Sequence, residues 1–232
     1  MRRRLRYAEG RFFDLYHLCY YMSKSPEKDE AQRLILDFKR YEEPAVRHMI
    51  IQAIEHLQTL EIGDDVLIVR ALSSFEMYIG EIGSIGLDRL GLSLENVFDC
   101  TYAPSAIYKT RKTASIKNLN ITERKDALAG VYAFKPDEFE GYSKLLIIDD
   151  VVTTGATACA IMGPILKVYP ETKVTVFALA WTPTLKQQEF LLETERKAQM
   201  LHEPEVPYGN LKSWRDEDFE NGATDISLYP QR

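Results

Sequence analysis

The residues best suited to chemistry stand together in one stretch, Lys144-Leu145-Leu146-Ile147-Ile148-Asp149-Asp150-Val151-Val152-Thr153-Thr154-Gly155-Ala156-Thr157. Four large apolar residues run into two adjacent carboxylates, and a loop of Thr, Gly and Ala follows. Thr153, Thr154 and Thr157 offer hydroxyls, and Gly155 frees the backbone so that its N–H can turn toward a ligand. A helix beginning near Ala156 adds the unpaired N–H groups and positive dipole end of its first turn. Such a loop is an anion cradle suited to a phosphate. Hydrogen bonds to a charged group contribute roughly 1.5–3 kcal/mol each, so a few of them anchor a phosphomonoester without Lys or Arg. Asp149 and Asp150 cannot hold a phosphate, but they can accept hydrogen bonds from vicinal hydroxyls. Hydroxyl acceptors beside a phosphate cradle describe a site for ribose 5-phosphate.

The elements around the stretch must hold it at a sheet end. Leu145 to Ile148 reads as a buried strand, and in open α/β sheets ligands sit beyond the carboxyl ends of such strands. Val66-Leu67-Ile68-Val69 predicts a second buried strand after the turn Gly63-Asp64-Asp65. Residues 173–180 predict the last core strand and 131–134 a shorter one. Helical spacing of Val46, Met49, Ile50, Ala53, Ile54 and Leu57 predicts a helix over 44–60. Residues 88–94 predict another helix, with a flexible start at Gly80, Gly83 and Gly86, and a short strand is expected around Val97 and Phe98. The alternation in 34–41 predicts a strand, and the aromatic-rich 11–22 a short helix or hood segment. Residues 183–202 predict a helix, and the remainder from Glu203 an irregular tail or dimer contact.

The strand–acid–loop stretch resembles the phosphoribosyl-pyrophosphate fingerprint of type I phosphoribosyltransferases. No G-x-x-x-x-G-K and no G-x-G-x-x-G competes with it. Within that group the chain is most similar to the ComF-like, competence-associated proteins. Arg111-Lys112-Thr113-x-Ser115, Leu119, Glu123-Arg124 and the run from Gly130 to Phe134 carry the likeness, as does Leu36-Asp37-Phe38-Lys39-Arg40-Tyr41. It covers roughly residues 33–181. The resemblance implies an α/β fold with a mainly parallel twisted sheet flanked by helices, with a small hood from the terminal segments. It implies one domain over 1–232 with its core at about 33–202. It also implies transfer of a phosphoribosyl group to an unidentified acceptor, with release of pyrophosphate and Mg²⁺ as cofactor.

By the same resemblance, Thr153, Thr154, Gly155, Ala156 and Thr157 bind the 5-phosphate, and Asp149 and Asp150 act in catalysis and hold the metal directly or through water. Arg70 to Ser74, Ala71 included, fall where pyrophosphate is bound through backbone N–H groups; Arg70 adds charge there or pairs with a carboxylate. Residues 108–113 correspond to a flexible loop that closes over the site, bringing Lys109, Arg111 and Lys112 to the pyrophosphate and excluding water; the alternative is a solvated basic hairpin.

The chain departs from that pattern in places. Cys19, Cys100 and Cys159 form no C-x-x-C, so the family's amino-terminal zinc ribbon is not expected. An uncharged or acidic segment, 73–81, replaces a basic one. Ile116 and Lys117 stand where a Gln is usual, and Ala127 where an Asn is usual. Thr153 stands where purine-salvage enzymes carry an Asp facing the base, which argues against that substrate class. These departures leave open a protein that binds the ligand as a sensor without turnover.

Composition narrows the rest. At 232 residues and 45% hydrophobic content the chain can fill one α/β core. A net charge of −6 argues against general nucleic-acid binding, and Arg2-Arg3-Arg4-x-Arg6 reads as a local, solvated and mobile terminus, the alternative being contact with an anion or a partner. No apolar run reaches membrane-spanning length, no secretory h-region follows the arginines, and three scattered Cys predict reduced thiols in the cytoplasm.

Overall fold

A computed structural model describes residues 1–7, 11–22, 28–78, 85–113, 119–184, 186–190 and 193. The chain divides into two compact units, residues 1–188 and 189–232. The first is α/β. Its six-stranded sheet runs β1 (Arg2–Arg6), β2 (Phe12–Tyr20), β8 (Lys173–Trp181), β7 (Lys144–Val152), β3 (Val66–Arg70), β4 (Thr101–Tyr102). All neighbours are parallel except β1 with β2. The helices are α1 (Glu30–Lys39), α2 (Glu43–Leu57), α3 (Ile85–Phe98), α4 (Ile121–Leu128) and α5 (Ala156–Val168). A separate hairpin pairs β5 (Ile107–Lys109) with β6 (Tyr132–Phe134).

β7 is central because both its faces are apolar. Leu145 and Ile147 enter one core with Val176, Ala178 and the α5 residues Ile161 and Ile165. Leu146 and Ile148 enter the other, with Phe177, Leu179 and apolar residues of α1, α2 and α3. Successive strand residues alternate faces, so one continuous apolar run serves two layers of helices.

Four expectations are corrected. Residues 34–41 lie in α1 and its exit turn, not in a strand. Asp29 caps the helix by accepting the Gln32 N–H at 2.7 Å, and Gln32, Ile35 and Phe38 are its buried face, three residues apart. Residues 12–20 form strand β2 instead of a helix: Phe13, Leu15 and His17 are buried at period 2. The Arg-rich start is strand β1 on the sheet edge, where arginines discourage pairing with a further strand. Val97 and Phe98 end α3, and the short strand comes after them as β4.

Gly80 and Gly83, Ser115 to Lys117, Pro26, and the tail from Glu203 lie outside the described residues, as does most of the expected helix over 183–202. Gly86 is in α3, where a Cβ would sit 2.8 Å from the Phe38 ring; glycine here lets α3 close on α1. Among the described residues, no helix is long and apolar enough to cross a membrane.

Candidate functional site

β7 carries its apolar run to the sheet's carboxyl end and delivers the chain into residues 153–155. Gly155 takes φ 75°, a left-handed conformation that favours glycine, and is the N-cap of α5. The N-cap glycine has no side chain to cap that helix, so the first-turn N–H groups beside the loop are without a side-chain cap from it. The Thr154 hydroxyl oxygen is buried and has no hydrogen-bond partner among the described residues. Trp181, at the end of β8, donates its indole N–H to the Thr153 carbonyl at 3.2 Å, and the Arg3 guanidinium lies 3.7 Å over the Trp181 ring. Leu5 and Phe13 back Gly155, within 3.1 and 3.4 Å of where a Cβ would stand. The amino-terminal strands therefore wall the loop from behind.

The hollow in front has a volume of about 30 Å³, space for roughly two water-sized groups, which suits an anion rather than a whole nucleotide. Asp149, Val151 to Ala158 and Arg124 line it. Five expected residues, Thr153, Thr154, Gly155, Ala156 and Thr157, thus share a wall with Asp149.

Asp150 is not in that wall. It leaves β7 on the opposite face from Asp149, as the strand period requires, and its carboxylate pairs with Lys39 of α1 at 3.1 Å. The two acids leave the strand on opposite faces yet stay within electrostatic reach of each other. Asp149 accepts the Asp150 backbone N–H at 2.8 Å. Burial, and then the charge of Asp150, push the Asp149 carboxyl up to about 8, while Lys39 pulls it down by less. Burial and then Asp149 also raise the Tyr132 phenol, so β6 faces the same acid.

The pyrophosphate end differs more from expectation. Arg70 is 1% exposed and is bound to Glu76 at 2.7 and 3.1 Å and to Asp88 at 2.5 and 3.1 Å. Its charge is spent inside the fold, so it adds none to a ligand. The Ala71 N–H bonds the Ile148 carbonyl and the Ser73 N–H bonds Glu76. Lys109 is 3% exposed on β5 with its ammonium on the Ser73 carbonyl, and burial lowers its pKa. Tyr132 donates to the Leu72 carbonyl. Lys109 and Tyr132 thus tie β5 and β6 to the loop after β3. Arg111 donates to the Ala127 and Ala129 carbonyls at the end of α4, and Lys112 is exposed.

Two cations at the site, Arg124 and Lys39, are absent from the expected set. Each stood in a segment with a family likeness, but only the topology brings α1 and α4 to the end of β7. Among the described residues no group of three His, Cys, Asp or Glu side chains could hold a metal ion.

Comparison with protein-family models finds no match, and comparison with curated proteins finds none either.

Proposed function

We propose that this protein binds phosphoribosyl pyrophosphate with Mg²⁺ at the end of β7 and transfers the phosphoribosyl group to an acceptor, releasing pyrophosphate. The observation that carries the reading is the single hollow shared by Asp149 and the Thr153–Thr157 loop around left-handed Gly155. The loop offers hydroxyls and helix N–H groups to the 5-phosphate. Asp149 offers its carboxyl oxygens to the ribose hydroxyls, and Asp150 pairs with Lys39 at the strand end.

Phosphoribosyl transfer breaks a glycosidic C–O bond with oxocarbenium character. Positive charge grows on the ribose while negative charge grows on the leaving pyrophosphate. Carboxylates fixed beside the sugar, Asp150 and, once it loses its proton, Asp149, stabilise the first of these charges more in the transition state than in the ground state. Asp149 and Asp150 would hold Mg²⁺ directly or through water, and the ion when bound supplies the charge that the pyrophosphate needs.

A second reading, binding without turnover, draws support from the loop after β3. Its Arg70 side chain and its Ala71 and Ser73 N–H groups are already engaged within the protein. Incubation with phosphoribosyl pyrophosphate, Mg²⁺ and a panel of nucleobases and amines separates the two. Acceptor-dependent pyrophosphate release supports transfer; saturable binding with no release for any acceptor supports the sensor.

A further inference from the structure

The hollow contains a charge that a hydroxyl-and-amide cradle does not require. Arg124 lies on α4, lines the hollow, and points its Nη1 at the Thr153 hydroxyl oxygen, 2.6 Å away. Its position is built. The Arg124 Nε–H donates to the Leu119 carbonyl at 2.8 Å, which fixes the plane of the guanidinium. The start of α4 is fixed in turn: Asn120 accepts the Glu123 N–H at 3.0 Å, and Glu123 accepts the Asn120 N–H at 2.8 Å. Among the described side chains of α4, Leu128 is the one that is buried, and Arg124 is half-buried at the hollow.

The geometry has a chemical consequence. By donating to Thr153 Oγ1, Arg124 fills an acceptor site on that oxygen, and the Thr153 O–H is left to point as a donor. Thr154 Oγ1, buried and unpartnered among the described residues, stands in the same wall. The first-turn N–H groups of α5 complete a set made of donors and one positive charge. Asp149 lines the same hollow. A guanidinium is planar, always charged and matched to two oxygens of one phosphate.

We infer that Arg124 is a specificity-determining residue that makes this site selective for a phosphomonoester dianion on a hydroxyl-bearing sugar. This rests on the phosphoribosyl reading of the hollow, and adds that affinity for the ester end is set by α4 as well as by the loop.

The test is calorimetry on the full chain, with Mg²⁺, using ribose 5-phosphate, phosphoribosyl pyrophosphate and inorganic pyrophosphate in turn. Wild type is compared with Arg124→Lys and Arg124→Gln, with thermal melting as the check on folding. Loss of a charged hydrogen bond predicts that Arg124→Gln binds ribose 5-phosphate about tenfold or more weakly, that Arg124→Lys falls between, and that pyrophosphate binding does not change. Equal affinity for ribose 5-phosphate in wild type and Arg124→Gln overturns the inference. So does a parallel loss for all three ligands with a lowered melting temperature, which marks a structural role. Wild type that binds ribose 5-phosphate through Arg124 but phosphoribosyl pyrophosphate no more tightly upholds the inference and sinks the proposed function. No binding of ribose 5-phosphate at all overturns both.

Discussion

Lys39 Nζ stands 3.1 Å from Asp150 Oδ2, tying the last residue of α1 to the end of β7. The pair is partly exposed, so its contribution to stability is about 1 kcal/mol or less. It also acts on the site, because Lys39 draws down the pKa of Asp149. Lys39→Met is expected to leave the melting temperature within a few degrees of wild type, on the scale of about 4 °C per kcal/mol. The pH at which ligand binding reaches half its maximum should move to higher pH, since Asp149 becomes harder to ionise. Calorimetric titrations across pH 6–9 check this; an unmoved midpoint contradicts it.

Asp149 itself makes stability depend on pH. Its folded-state pKa is raised to about 8, against roughly 3.9 for an unfolded Asp. Between those values the folded chain keeps a proton that the unfolded chain has lost, so the contribution of Asp149 to stability falls as pH rises toward 8. Asp149→Asn removes the titration. The melting temperature of the variant minus that of wild type should therefore grow from pH 5 to pH 8 and level off above. A difference independent of pH rejects the raised pKa.

Arg70 and Glu76 are a buried ion pair, 1% and 0% exposed. Removing one partner leaves an uncompensated charge in the core. Arg70→Met should cost about 3–5 kcal/mol in chemical denaturation, and the double variant with Glu76→Leu should recover part of that loss. Additive losses in the double variant exclude the coupling.

Gly155 holds φ 75° with Leu5 and Phe13 behind it. Gly155→Ala is expected to cost about 1–2 kcal/mol from backbone strain alone and to weaken phosphate-ester binding, because the loop N–H groups turn with it. Unchanged stability and binding would show that the left-handed turn is dispensable.

The stretch 144–157 is legible in the sequence because each signal in it is local: an apolar run makes the strand, Gly155 makes the turn, and Ala156 begins the helix. Composition and periodicity also indicate the α/β class, β3, α2 and β8. What stays hidden depends on contacts distant in the chain. The strand character of β2 comes from pairing with β8, more than 150 residues away, and helix α1 is decided by Asp29, upstream of the segment that alternates. Asp149 and Asp150 are adjacent in sequence, but only the fold shows that they leave β7 on opposite faces and that Lys39 acts on both. Arg124 and Lys39 join the site through α4 and α1, which no spacing rule connects to β7. Of the two readings of Arg70, the fold realises the pairing with carboxylates, through Glu76 and Asp88.

Titration of wild type, Asp149→Asn and Thr154→Val with phosphoribosyl pyrophosphate and Mg²⁺ tests the shared hollow most directly. Saturable binding by wild type, with affinity reduced about tenfold or more in each variant while both remain folded, is the expected result. No binding by wild type, or equal affinity in all three proteins, would contradict it.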